Sequence, residues 1–394
     1  MLPKTADVVI IGGGCVGTST AYHLAERGMK NTLAPHASAG VLLLEREKFL
    51  GMGSTGRATG GVRYQFSTPV NIQLSLYGVN IIEHFEEIFG VSAGYRPIGY
   101  LFLLTQPDEL PNFRASLELQ HRLGAIWSRW VEPDEISQLT KFIRTDDVLG
   151  ATFCPKDGVA DPNTINMGFA QAATRRGVQI ETETIVTDIE LAGDQVVAVQ
   201  TNRGRIETRR VVNACGAWSA EIGKMVHLDI PIVPLRRQRL VTGPIPGFPR
   251  DHPFVIEFTS SFHFRPEGDG VHVGMSNHAE TPGYKFSIDE NFRDVILQSA
   301  VHRLPIMEHA SIAHELAGLY EETPDHHPIL GEARALKGFF IAAGFSGHGV
   351  MHSPATGKVM SEIILDGKSK TVDVSMLDFE RFAEGRLIQE LNVV

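Results

Sequence analysis

One segment, Val8-Val-Ile-Ile-Gly-Gly-Gly-Cys-Val-Gly17, limits what the chain can fold into more than any other. Four consecutive apolar residues, Val8 to Ile11, suit a parallel strand buried on both faces. They run directly into Gly12, Gly13, Gly14, Cys15, Val16 and Gly17, which fit G-x-G-x-x-G. In that pattern the first glycine permits a tight turn, the second lets a pyrophosphate approach the backbone, and the third lets helix and strand pack closely. A helix follows to about Arg27, with Val16, Ala21, Leu24 and Ala25 on one side and Gly28 at the C-cap. An anion at this turn faces free N–H groups and the positive end of the helix dipole. The segment therefore predicts a strand–turn–helix unit for a dinucleotide.

A second buried strand, Val41–Leu44, ends at Glu45, where a carboxylate can accept hydrogen bonds from a ribose diol. The spacing from Gly17 exceeds the usual ~20 residues. Asn31–Gly40, rich in small residues and proline, reads as a surface insertion that accounts for the excess. Ser54-Thr-Gly-Arg57-Ala-Thr-Gly-Gly61-Val-Arg63 follows, either a solvated loop or a loop offering hydroxyls and close backbone to an extended dinucleotide. Gly344-Phe-Ser-Gly-His-Gly349 lies between the apolar strand Phe339–Ala343 and a helix Pro354–Leu365. It is a tight turn with a core histidine, or a turn whose N–H groups stabilise charge at the N1/C2=O edge of a reduced flavin.

Between these motifs the pattern mixes elements. Helices are expected over Asn112–Leu123, Pro162–Arg176 and Asn291–Arg303. Strands are expected over Gly99–Thr105, Gln179–Glu190, Val196–Gln200 and Arg210–Gly216. Ile230–Met275 alternates short strands with Pro and Gly turns, which predicts an antiparallel sheet. A length of 394 residues favours two domains. The formal charge of −10 argues against nucleic acid and against a polybasic membrane anchor. No stretch approaches the ~20 apolar residues of a transmembrane helix. Cys15, Cys154 and Cys215 lie far apart, so a reducing compartment, the cytoplasm, is expected, with no metal site.

The motifs resemble those of FAD-dependent amine oxidoreductases related to D-amino-acid, glycine and sarcosine oxidases. The resemblance is carried by VVIIGGGCVGTSTAYHLAERG, VLLLER, STGRATGGVR, RRVVNACGAWS, GLYEETPDHHPILG and AAGFSGHGVMHSPATG, in the family's order along nearly the whole chain. STGRATGGVR and GFSGHG are most similar to the sarcosine, dimethylglycine and proline dehydrogenase branch. The resemblance implies an α/β fold in which a Rossmann-type FAD-binding domain (1–84, 155–226 and 318–394) is interleaved with a substrate domain (85–154 and 227–317). The substrate domain's mainly antiparallel sheet would roof the flavin.

By the same resemblance, Gly12, Gly14, Gly17, Glu45 and Arg46 would hold the ADP half. Ser54, Thr55, Arg57, Thr59, Gly60 and Gly61 would line the pyrophosphate, ribityl chain and isoalloxazine. Val186 would meet the adenine, and Ala214, Gly216 and Trp218 match an Ala-x-Gly-x-Trp element. Gly344, Phe345, Ser346, Gly347, His348, Gly349, Val350 and Met351 would pass under the pyrimidine edge. Arg63 falls where sarcosine oxidases place a carboxylate-binding arginine, and a guanidinium fork suits that group. Three positions depart from sarcosine oxidases. Met351 replaces a carboxylate-binding lysine, His272 an oxygen-activating lysine, and Gly318 a flavin-tethering cysteine.

The implied activity is oxidation of the C–N bond of a small amino acid, with or without an N-substituent, by hydride transfer to non-covalent FAD. Either oxygen or another carrier would accept the electrons. The chain could be a homo-oligomer or a subunit of an oxidase complex. His263 and His272 are pocket candidates or structural histidines of the sheet. Two rival readings share the FAD elements: a dehydrogenase of 2-hydroxy acids or glycerol phosphate, with His348 as base, and an accessory flavoprotein.

Overall fold

The computed structural model describes residues 2–29 and 38–393. Residues 31–37 of the expected insertion lie outside the described residues, and 38–40 already belong to the strand Ser38–Leu44.

The apolar run becomes the strand Thr5–Ile11, in which Val8, Val9 and Ile10 have no exposed surface. It pairs in parallel with Ser38–Leu44 on one side and with Val211–Asn213 on the other. Beyond these lie Gln179–Glu181 at one end, and Phe339–Ala343 and Ile329–Glu332 at the other. A strand with a neighbour on each edge and a layer on each face must be apolar throughout. Val186–Ala192, Gln195–Thr201 and Gly204–Glu207 form an antiparallel extension that joins Thr5–Ile11 at Thr5. The expected strand Gln179–Glu190 is thus two strands serving different parts of the sheet. Between them Glu183 takes a left-handed backbone conformation, at φ 52°.

Cys15–Glu26 is buried from Cys15 to Ala25, because it packs against Pro162–Arg175 and Gly349–Asp366. The last helix starts at Gly349, five residues before the expected Pro354. Proline has no N–H for the carbonyl four residues back. That carbonyl, of Val350, instead accepts the hydroxyl of Ser353 at 2.8 Å, so the helix continues through the proline.

The second sheet has eight strands among the described residues. Their order is Ile312–Glu322, Val233–Thr242, Gly270–Met275, Phe262–Glu267, Phe254–Glu257, Tyr100–Leu104, Gly150–Cys154 and Arg129–Val131. Every pairing is antiparallel except Tyr100–Leu104 with Phe254–Glu257. Ile312–Glu322 runs without a break through residue 318, where the sequence suggested a return to the first sheet. The fold is α/β with these two mixed sheets.

Candidate active site

The turn after Thr5–Ile11 has the geometry its glycines demand. Gly12 sits at φ 111°, and a β-carbon there would lie 2.4 Å from the carbonyl oxygen of Ala214. At Gly17 a β-carbon would lie 2.0 Å from the oxygen of Gly12, so only glycine lets the helix approach its own strand. Gly14 offers no side-chain cap, and among the first N–H groups that of Cys15 reaches Thr55 Oγ1 at 3.2 Å. Glu45 accepts the N–H groups of Gly13 at 2.8 Å and Glu47 at 2.9 Å. Each of its oxygens keeps a lone pair for a diol.

This turn opens on a cavity of about 460 Å³ that reaches the second sheet. Of the residues expected to hold a dinucleotide, Gly12, Gly13, Gly14, Cys15, Val16, Glu45, Arg46, Ser54, Thr55, Arg57 and Thr59 line it. Val186, Ala214, Gly216, Trp218, Gly347, Gly349 and Val350 line it too. Gly17, Gly60, Gly61, Gly344, Phe345, Ser346, His348 and Met351 do not. Gly17 is consumed by helix packing, and a β-carbon at Gly60 or Gly61 would strike Ala160 O or the Tyr100 hydroxyl instead. Phe345, Ser346, His348 and Met351 are turned into the protein interior. Arg46 lies over the Trp218 ring, 4.2 Å from its centroid, and Trp218 stacks on Tyr284.

The loop bearing Ser54 and Arg57 is fastened to the roof. Ser54 Oγ donates to Leu319 O at 2.8 Å and Arg57 Nη1 to Ala317 O at 3.1 Å. The Nε of Arg57, and those of Arg237 and Arg239, are buried without a hydrogen-bond partner. The open Nε of Arg57, on the loop beside a phosphate-type turn, fits a ligand rich in acceptors such as FAD.

The expected carboxylate ligand is elsewhere. Arg63 is buried away from this cavity. Its guanidinium donates to Gln65 O, to Asn392 O at 2.7 Å and to His348 Nε2 at 3.1 Å. It also covers the Phe66 ring at 3.9 Å. These partners occupy the fork that a substrate carboxylate would need. Burial, with Arg63 beside it, holds His348 far below the ordinary imidazole range, so the ring is neutral. His272 is buried, does not line the cavity and leaves both ring nitrogens unpartnered. Burial and the nearby Arg265 keep it neutral. His263 does line the cavity, and burial pulls its pKa to about 4. Its Nδ1 faces Ser261 O at 3.1 Å, which assigns the proton there.

Several lining residues were not anticipated. Arg237, Arg239, Tyr320 and Glu321 all belong to the roof. The signal for the arginines was present as Arg237-Gln-Arg239, since alternate residues of a strand share a face. Arg237 lies over the Tyr320 ring at 4.9 Å and pairs with Glu322 at 3.1 Å. Glu321 is partly buried at the cavity wall, accepts Gly344 N–H at 3.1 Å, and has its pKa raised by burial to about 7. Gly318, at the position of the family's tethering cysteine, lines the cavity against Arg57. Among the described residues, no group of side chains could hold a metal and no helix is long and apolar enough to cross a membrane.

Comparison with known proteins agrees with this geometry. The family described as FAD dependent oxidoreductase (DAO) matches residues 7–363. Mitochondrial dimethylglycine dehydrogenase of Rattus norvegicus is 31% identical, over 96% of this chain and 45% of its own length. Mitochondrial sarcosine dehydrogenase of Mus musculus is 31% identical, over 97% of this chain and 42% of its own. The chain thus spans less than half the length of these curated relatives. The crystal structure of L-proline dehydrogenase from P. horikoshii superposes with a TM-score of 0.89 at 32% identity, covering 98% of this chain and all of that one. Glycine oxidase from Geobacillus kaustophilus shares the fold at 23% identity and a TM-score of 0.82, over 96% of this chain and 99% of that one. The chain belongs to the FAD dependent oxidoreductase family.

Proposed function

We propose that this chain oxidises the carbon–nitrogen bond of a small N-substituted amino acid, of the kind represented by proline, sarcosine and dimethylglycine. The observation that carries this reading is the continuity of one cavity, from the dinucleotide turn at Gly12–Gly14 to the basic inner face of the roof at Arg237 and Arg239. The likeness to L-proline dehydrogenase over the full length of both chains supports it. So does the likeness to sarcosine and dimethylglycine dehydrogenases.

FAD, when bound, supplies a two-electron acceptor for a hydride. The chain's own share is placement and exclusion of water. The cationic roof holds the substrate's carboxylate, and the neutral wall made by His263 and Leu316 flanks its carbon frame. The C–H bond beside nitrogen breaks with loss of a hydride to the bound cofactor, and the nitrogen lone pair forms the C=N bond of an iminium, which sheds a proton to solvent where the nitrogen carries one. Water then cleaves the imine to a carbonyl compound and an amine. No base is required from the protein if the amine enters neutral, and the buried histidines stay uncharged.

The reading takes FAD as non-covalent, because Gly318 offers no thiol and burial raises the Cys15 thiol to about 11. Arg57 and Gly61 stay with the cofactor loop, whose backbone orders the cavity wall. A cytoplasmic setting rests on three free cysteines. The electron acceptor, oxygen or a protein carrier, follows from the same experiment that tests the reaction. Anaerobic mixing of the FAD-loaded protein with L-proline, sarcosine and dimethylglycine should bleach the flavin. Air or an artificial dye then restores it. Bleaching by glycerol phosphate or lactate alone would overturn the proposal.

A further inference from the structure

We infer that Arg239, and not Arg63, binds the substrate's carboxylate. The inference rests on the proposed reaction and names the residue that selects an acid over a neutral amine.

The strand register places the relevant side chains. Arg239 pairs with Gly274 on one side and Leu316 on the other, and Gly274 pairs in turn with His263. Residues two apart along each strand share a face, so Arg237, Arg239, His263 and Arg265 project from one side of the roof. This is the side that meets the cavity, which Arg237, Arg239 and His263 line.

Three guanidinium groups stand on that face, and two are neutralised. Arg237 pairs with Glu322 at 3.1 Å. Arg265 pairs with Glu267 and donates to Thr59 O at 2.9 Å. Arg239 has no hydrogen bond or ion pair among the described residues, and its Nε is buried without an acceptor. Burial and the like charge of Arg265 both disfavour its cationic form, with Glu267 opposing them. A part-buried guanidinium with open donors is costly unless an anion completes it. A carboxylate is the group that satisfies such a fork with two parallel hydrogen bonds.

The other candidates for the charge are excluded by their contacts. Arg63 donates to Asn392 O and Gln65 O and lies off the cavity. Arg57 donates to Ala317 O and covers the Phe286 ring at 4.8 Å. The phosphates of the cofactor belong to the Gly12–Gly14 turn, where the helix N-terminus attracts them. Arg239 therefore faces the substrate end, with Leu316, its partner across the strand pair, as its apolar neighbour on the wall.

The test uses the FAD-loaded protein and pyrrole-2-carboxylate, an anion that cannot be oxidised at a carbon beside nitrogen, with the neutral pyrrole-2-carboxamide as control. Binding is read from the shift of the flavin absorbance band, which needs no turnover. Arg239→Met should weaken carboxylate binding by roughly a hundredfold, as expected for loss of a charged partner. Arg239→Lys should fall between, and the carboxamide should bind all three proteins alike. FAD content and thermal midpoint measured on each variant identify a loss caused by misfolding, and the lysine variant keeps the cation in place. An unchanged carboxylate affinity in Arg239→Met, with a large loss in Arg63→Met, would overturn the assignment. If pyrrole-2-carboxylate depends on Arg239 but no amino acid reduces the flavin, the anion site stands and the proposed reaction fails.

Discussion

The guanidinium of Arg63 donates to Nε2 of His348 at 3.1 Å, inside the protein and away from the cavity. Both residues carry an expected role at the substrate, and the structure joins them to each other instead. The same guanidinium closes on the carbonyls of Gln65 and Asn392, so it ties the flavin-loop strand to the C-terminal tail. Arg63 thus makes its contacts within the protein, off the cavity that the roof strands line.

Arg63→Met should accordingly cost stability more than substrate affinity. Two buried carbonyls lose their donor, a change worth about 2–4 kcal/mol. Urea denaturation should show that loss, while the affinity for pyrrole-2-carboxylate stays within about threefold. A stable variant with a large affinity loss would return Arg63 to the substrate.

Glu321 and Asp157 set a pH dependence of stability in the FAD-free protein. Burial raises each carboxyl to about 7, against ordinary values of 4.5 and 3.8. Each group holds its proton more tightly folded than unfolded, so its contribution is complete below the unfolded value. It is lost as pH rises through about 7. Denaturation midpoints should fall between pH 5 and pH 8. Glu321→Gln should remove one of the two contributions, on the order of 3 kcal/mol at pH 8. Equal pH slopes for the variant and the parent would show that Glu321 is not buried as an acid.

Gly17→Ala should abolish FAD retention. Its β-carbon would stand 2.0 Å from Gly12 O, and the phosphate turn must shift to admit it. The purified variant is expected colourless, with FAD affinity at least a hundredfold weaker by fluorescence titration. A yellow variant with parental affinity would remove this turn from the cofactor site.

His272→Lys should destabilise without changing reaction with oxygen. The position is enclosed beside Arg265, has no partner for an ammonium, and does not reach the cavity. A cost of about 3 kcal/mol is expected for the buried charge. Faster reoxidation in air of the substrate-reduced variant, at parental stability, would place His272 next to the flavin.

The sequence displayed the first layer of this fold because that layer is local. Val8–Ile11 and Gly12–Gly17 specify strand, turn and helix within a short window, and the structure realises all three. The roof was visible as alternating short strands, but its functional face was not. Which side of a strand meets the cavity depends on partners far along the chain, as when Arg239 lies opposite both Gly274 and Leu316. Arg63 shows the same limit from the other side. Its position in the flavin loop suggested a ligand, and the carbonyl that engages it belongs to Asn392, 329 residues later. Pro354 suggested a helix start, and the hydroxyl of Ser353 is what let the helix begin earlier.

Anaerobic titration of the FAD-loaded protein with L-proline, sarcosine and dimethylglycine, followed by flavin absorbance, tests the central claim most directly. The account predicts that at least one of them bleaches the flavin in a single two-electron step, and that its carboxamide analogue does so far more weakly. A flavin that stays oxidised with all three and is reduced by glycerol phosphate or a 2-hydroxy acid would contradict it.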